Sequence, residues 1–263
     1  MSRGLGDVYK RQRQKDFSWN ASLLYAFNRN KVKHISVQPS LWDSRISMPT
    51  SYPMVGKPLY GIYAYKWAGL NENGDPQVYD AENNVTSGPA RDYHALVYCG
   101  TTVPIHNASL TNVLRYKGLE FSAMLILDAG HKLRSSNIPS INMSNGRITS
   151  TAKGIVDRWT QPGDVTDVPR LLFSNDTENF NTHRTELYRY SDLFVYDASN
   201  IRLSNISLAY RVPAHWCKKI SLSGARLQFN VENVATFAFD SKANYDLGGK
   251  VKPNYVWGLY LNF

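Results

Sequence analysis

The chain has 263 residues, 43% of them apolar and 13% aromatic, with 17 tyrosines and a mean hydropathy of −0.39. No run approaches the roughly 18 apolar residues of a membrane helix, "AMLIL" at 123–127 being among the longest, so helical membrane proteins are excluded. β-Barrels stay open, because their strands show lipid only every second residue. The net charge of +9 is scattered, its densest clusters "NRNKVK" and "RVPAHWCKK" falling at turns, and a nucleic-acid surface would want a contiguous stripe.

The start, "MSRGLGDVYKRQ", has neither the apolar core of a signal peptide nor a strand period. Residues 1–15 are expected to be an artefactual or unstructured start, with the natural N-terminus missing. Alternation then begins: Phe17, Trp19, Ala21, Leu23, Tyr25 and Phe27 are apolar, with Ser18, Asn20 and Ser22 between them. Ala108, Leu110, Leu114 and Tyr116 alternate with polar residues. After "YKG" the pattern resumes as Leu119, Phe121, Ala123, Leu125 and Leu127. In "IRLSNISLAY" the phase changes between Leu203 and Ile206, which predicts a bulge near Asn205. Ala225, Leu227, Phe229 and Val231 continue the series. The chain closes on "NYVWGLYLNF", which puts Tyr255, Trp257, Leu259, Leu261 and Phe263 on one strand face. No capped amphipathic helix emerges, so the expected class is all-β.

The connections are lopsided. "NRNK" (28–31), "KG" (117–118) and "VPAHWCKK" (212–219) read as short joins, whereas 43–106, 131–198 and 234–253 are long. Compact soluble domains rarely carry long structureless loops, while outer-membrane barrels combine short periplasmic turns with long external loops. If the last strand runs inward, strands near 199–211, 107–116 and 17–27 are expected to run the same way. Their inner ends would carry Tyr210, Tyr116, and Tyr25 with Phe27, as an interfacial girdle of aromatics.

The segments "DRWTQPGDVTDVPRL" (157–171), "YDASNIRLSNISLAYRVP" (196–213), "LQFNVENVATF" (227–237), "GLNENGDPQVYD" (69–80) and "VPIHNASLTNVLRYKGLEFSAML" (103–125) resemble, in order, the C-terminal part of the SusC/RagA family of TonB-linked outer-membrane transporters. The resemblance runs from about residue 16 to 263. It implies a 22-stranded antiparallel barrel, of which some seven strands are present here, the plug domain and N-terminal strands being absent. It also implies a nutrient importer for glycans or peptides, located in the cell outer membrane and without enzymatic activity or cofactor. The implied partners are a SusD-like surface lipoprotein, the TonB complex acting through the missing N-terminal part, the outer-membrane assembly machinery, membrane lipid, and an oligosaccharide or peptide ligand. The competing reading is a secreted all-β glycan-binding or glycan-cleaving domain.

Few residues suggest chemistry. The histidines (34, 94, 106, 131, 183, 215) lack metal-type spacing, and two cysteines make neither a disulfide framework nor a zinc site. The barrel topology puts Cys99 in an external loop and Cys217 in a periplasmic turn, so they are not expected to pair. "NENGDP" (71–76) echoes a calcium loop, but its glycine falls too early, and a turn between short strands is the better reading. Asp157, Asp164 and Asp167 resemble the carboxylates of glycoside hydrolysis, within a segment that matches the family's external loop. Tyr60, Tyr63, Tyr65 and Trp67 are candidates for stacking on a ligand, against the alternative of loop-core packing. Tyr255, Trp257, Leu259, Leu261 and Phe263 are candidates for an assembly signal read by strand addition.

Overall fold

A computed structural model describes residues 2–14, 16–36, 44–88, 93–144, 147–148, 152–173, 182–247 and 252–263. It is mostly strand, and the chain divides into two compact units. One comprises Met1–Arg29, Pro104–His131 and Asp197–Phe263; the other comprises Asn30–Val103 and Lys132–Tyr196.

The first unit is a seven-stranded sheet in which every strand pairs with its neighbours in order. The strands are β1 (Ser2–Gln14), β2 (Phe17–Arg29), β3 (His106–Tyr116), β4 (Leu119–Ala129), β5 (Asn200–Arg211), β6 (Gly224–Ala238) and β7 (Asn254–Asn262). All pairings are antiparallel, and their register aligns the apolar residues across the sheet. Phe17, Tyr116, Leu119, Tyr210, Leu227 and Leu259 are successive partners from β2 to β7, and so are Trp19, Leu114, Phe121, Leu208, Phe229 and Trp257. The row between them, Ser18, Arg115, Glu120, Ala209, Gln228 and Gly258, falls on the opposite, polar face. A slip of one residue would exchange the faces, so the pattern pins the register. Much of the apolar face stays open: Tyr116, Leu208, Leu227, Trp257 and Leu259 are all exposed.

The phase change in β5 is a bulge, as the sequence predicts. Pairing shifts between Leu203 and Asn205 toward both β4 and β6. The extra residue returns Leu203 and Ile206 to one face. The "KG" join has positive φ at Lys117 (44°) and Gly118 (89°), the geometry of a two-residue hairpin turn that matches strand twist. A Cβ on Gly118 would lie 2.9 Å from the Arg211 carbonyl oxygen.

Two expectations are corrected. Residues 2–14 are not unstructured: β1 pairs with β2 from Ser2 opposite Arg29 to Gln14 opposite Phe17, while Met1 and Lys15 lie outside the described residues. Its register sets Lys10, Gln12 and Gln14 against Ala21, Trp19 and Phe17 of the apolar face. Ladder bonds need only backbone groups, so an extended segment without a strand period can occupy the edge of β2.

The direction of β2 is the second correction. It pairs directly and antiparallel with β3, so Phe17 meets Tyr116 and Phe27 meets His106. β2 therefore runs opposite to β3, β5 and β7, and "NRNK" opens the long connection instead of closing a tight turn. Val32 N–H donates to the Lys57 carbonyl there, at 2.9 Å. Short joins (15–16, 117–118, 212–223) all lie at one end of the sheet, and 30–105, 130–199 and 239–253 leave from the other. Phe17 and Trp19, rather than Tyr25 and Phe27, join Tyr116 and Tyr210 at the short-turn end.

The all-β class holds, with a few short helices added to it, among them α1 (Thr182–Arg189) and α2 (Ala214–Lys218). In α1 the buried face is Arg184, Leu187 and Tyr188, spaced i, i+3, i+4. An arginine stands where the period calls for an apolar residue, which hides the helix from a hydropathy reading.

Several polar residues interrupt the apolar face, His106 and Asn112 among them. Asn112 lies in the row of Ala21 and Ala123, and its Oδ1 accepts the Trp19 indole N–H at 3.2 Å. Removing that donor with Trp19→Phe should cost ~1 kcal/mol. The cost should vanish in an Asn112→Leu background, as a double-mutant cycle of denaturant unfolding in detergent would measure. Identical costs in both backgrounds would show that the bond contributes nothing.

Candidate functional site

In the second unit, Gly61–Tyr65 pairs with Leu96–Thr101, and Trp67–Leu70, Pro76–Tyr79 and Val85–Thr86 form a small meander. Tyr63, Tyr65, Val78, Ala95, Leu96 and Leu187 pack as one core, and Ile141, Tyr188 and Phe194 as another. Trp67 packs against both.

Two sequence segments that stand far apart meet here. The turn after Trp67–Leu70 is held by Asn71, whose Oδ1 accepts the backbone N–H groups of Asn73 and Asp75, both at 2.9 Å. This Asx geometry confirms "NENGDP" as a turn between strands. Gly74 has φ +74°, and a Cβ there would sit 2.4 Å from Trp159 Cδ2, so the backbone lies directly on the indole. Arg170 N–H donates to the Gly74 carbonyl at 3.0 Å. The Arg170 guanidinium grips the Asp75 carboxylate with two bonds, Nε at 3.1 Å and Nη2 at 2.8 Å.

Arg184 of α1 joins the same carboxylate. Its Nε is 3.1 Å from Asp75 Oδ1, and Nη2 donates to the Arg170 carbonyl at 2.7 Å. The Arg184 side chain is only 3% exposed, against 20% for Asp75. Burial lowers the Arg184 pKa, and the adjacent Asp75 charge opposes that shift. One carboxylate thus ties a turn, a loop and a helix together. Sequence reading singled out none of the three residues as functional. Asp75 and Arg170 do lie in segments that carry the family resemblance, whereas Arg184 carried no signal.

The sequence candidates are distributed as follows. Tyr60 is exposed, Tyr63 and Tyr65 are 1% and 0% exposed within the core, and Trp67 is half-buried. The four do not form one ligand face. Gly61–Tyr65 is buried along its whole length, so Tyr63 and Tyr65 are packed and not presented to a ligand. Trp67 Nε1–H donates to Asp167 at 2.8 Å. Asp164 accepts from Thr160 N, Thr160 Oγ1 and Gln161 N, bonds that hold its carboxyl below the usual range. Asp157 takes part through its backbone carbonyl, which accepts from Thr166 Oγ1 at 2.6 Å. These aspartates build the loop and do not converge as an acid–base pair. Among the described residues no three His, Cys, Asp or Glu side chains are grouped for a metal.

Beside this loop lies a cleft of about 730 Å³, lined by Leu70, Glu72, Asn73, Trp159, Pro162 and Val165 among others. Its acidic groups are Glu72 and the turn-bound Asp164.

On the sheet, Tyr255, Trp257, Leu259 and Leu261 lie opposite Val231, Phe229, Leu227 and Ala225, and the Trp257 ring is 4.2 Å from that of Phe229. β7 is an edge strand, and Phe263 is 92% exposed. Ser223 fastens the end, its N–H donating to the Asn262 carbonyl at 2.8 Å. The polar face carries its own network. Glu120 bridges Arg115 on β3 and Arg226 on β6, reaching the latter past the small, buried Ala209.

With the geometry established, the chain was compared with known proteins. No family model matches it. It is 24% identical, over a 266-residue alignment, to TonB-dependent receptor P3 of Formosa agariphila, covering 93% of this chain and 25% of that protein. It is 25% identical over 231 residues to TonB-dependent receptor P26 of the same organism, covering 81% of this chain and 22% of the relative. Among solved structures, that of the RagAB peptide transporter superposes with a TM-score of 0.69 at 20% identity, over 98% of this chain and 28% of the other. The RagAB peptide importer in its "closed-closed" state gives 0.66 at the same identity and coverage. The likeness to TonB-dependent receptors read from the sequence therefore extends over most of the chain, and the fold is shared with the RagAB structures. The chain spans about a quarter of the length of the curated relatives it matches.

Two outcomes follow from the loop geometry. Asp75→Ala leaves the buried Arg184 without its counter-charge and should destabilise the second unit by about 3 kcal/mol. Hydrogen exchange of the α1 amides would report it, with Asp157→Ala as a control expected near zero. Cys99 and Cys217 are both free, and burial pushes the Cys99 thiol up to about 11. At pH 8 its thiolate fraction is small, so iodoacetamide should label Cys99 much more slowly in folded than in denatured protein. Equal rates would contradict the burial.

Proposed function

We propose that this chain is the C-terminal portion of the barrel of a TonB-linked outer-membrane importer of the SusC/RagA type. The observation that carries the reading is the single-layer sheet, with an open apolar face on one side and a charged, hydrogen-bonded face on the other. A soluble sandwich would bury such a face beneath a second sheet, whereas a transmembrane barrel turns it to lipid and its polar side to the lumen. The division of connections, short at one end and long at the other, supports the same orientation.

In this reading the remaining strands of a longer polypeptide close the barrel on the free edge of β7, since lipid leaves no unpaired backbone unpenalised. Arg115, Glu120, Arg226, Gln228 and Ser207 line the wet interior. The interlocked loops of the second unit belong to the long, extracellular connections and present a firm surface to a peptide or oligosaccharide and to a SusD-like lipoprotein. Energy for uptake arrives through TonB and the plug in the part of the protein outside these residues. Transport needs no bond-making chemistry.

Disrupting the full-length gene should abolish growth on the nutrient, peptide or glycan, that the protein imports, and the protein should fractionate with the outer membrane. A water-soluble periplasmic or secreted product would overturn the reading.

The C-terminal strand supplies a sharper test. Its alternate residues Tyr255, Trp257, Leu259, Leu261 and Phe263 are held in register on an edge strand, the form in which β-augmentation reads a segment. In the full-length protein, Leu259→Arg places a charge on the lipid face in the row of Tyr116 and Leu227 at the short-turn end, where the cost to the assembled barrel is about 1 kcal/mol or less. That variant and deletion of Phe263 should sharply lower surface abundance, while Asn262→Ala should leave it unchanged. Equal surface labelling of all three would sink the assembly-signal role.

A further inference from the structure

The β5–β6 connection, 212–223, is more elaborate than a turn requires. Its helix α2 and the following reversal are fixed by backbone bonds, Cys217 N–H to the Pro213 carbonyl and Leu222 N–H to the Cys217 carbonyl. Cys217 and Leu222 are 1% and 8% exposed, and they hold the segment against the end of the sheet. Their inward placement turns Trp216 and Ile220 out, at 55% and 68% exposure. His215, Lys218 and Lys219 are exposed beside them, and residues 212–223 contain no acidic side chain.

The segment stands at the short-turn end of the sheet, where the apolar face also ends. Tyr116, Leu227 and Phe263 are exposed at that end, and the Lys117 ammonium lies 5.3 Å from the centre of the Tyr116 ring. An aromatic and an aliphatic side chain held outward, flanked by uncompensated lysines and continuous with an apolar face, is the composition that enters the headgroup region of a bilayer. We propose that this connection is a phospholipid anchor. Trp216 and Ile220 enter the interfacial zone of the leaflet at the short-turn end, and Lys218 and Lys219 bind anionic phosphate headgroups. The inference rests on the membrane reading of the sheet given above.

The test uses the full-length protein in nanodiscs of phosphatidylcholine, alone or with phosphatidylglycerol. Lys218→Gln with Lys219→Gln should lower the phosphatidylglycerol retained on extraction, read by native mass spectrometry, by about fivefold or more. Retained phosphatidylcholine should not change. Lipids brominated near the headgroup should quench wild-type fluorescence more than that of Trp216→Phe. Equal phosphatidylglycerol retention, or a Trp216 signal quenched by aqueous acrylamide and not by brominated lipid, overturns the anchor. Trp257→Phe separates the two levels of the argument. If Trp257 is quenched by brominated lipid and Trp216 is not, the anchor alone fails; if neither is quenched, the membrane reading fails with it.

Discussion

Everything in the sheet depends on one geometric rule, that successive side chains of a strand point to opposite faces, applied through a ladder that keeps six strands in register. From Phe17 to Leu259 and from Trp19 to Trp257, apolar residue meets apolar residue across every pairing. The polar row between them gathers Arg115, Glu120 and Gln228 on the other side. No core is needed to achieve this separation. The backbone bonds supply cohesion, and side chains decide only which medium each face tolerates. The bulge in β5 shows how strictly the rule is kept: an extra residue is inserted so that Leu203 and Ile206 stay on the same side.

The second unit is organised differently. Its segments have few regular ladders to align them, and a charged centre takes over that task. Asp75 holds two guanidiniums at once, one from a loop and one from a helix, while Gly74 lets the turn backbone rest on Trp159. Burying Arg184 would be costly alone. It is tolerated because a carboxylate and backbone carbonyls occupy its donors, and that requirement makes the arrangement selective as well as cohesive. The aspartates of 157–167 fit the same picture, since two of them spend their carboxylates on neighbouring donors and the third its carbonyl.

These two modes of construction bear on function together. In the proposed importer the sheet would serve as a wall, with one face to lipid and one to water, and the loops locked by buried charge as a surface of defined shape. At the short-turn end of the sheet, the β5–β6 connection keeps Cys217 inside and Trp216 outside, the arrangement that the proposed lipid anchor uses.

The sequence by itself determined which residues share a face, where β2 to β7 run, the bulge beside Asn205, the two-residue turn at Lys117 and Gly118, and the contrast of short and long connections. Those features are local, because alternation and turn chemistry act within a few residues. It did not determine the direction of β2, the pairing of residues 2–14, or whether the alternating Tyr63 and Tyr65 face a ligand or a core. Direction and pairing are set by backbone ladders between distant segments, and burial by what packs on the second side. The centre of the loop unit lay furthest from view: Arg184 sits in a helix face only because Asp75, 109 residues earlier, neutralises it there. A buried charge has no meaning in sequence until its partner is in place, so that choice belonged to the tertiary structure alone.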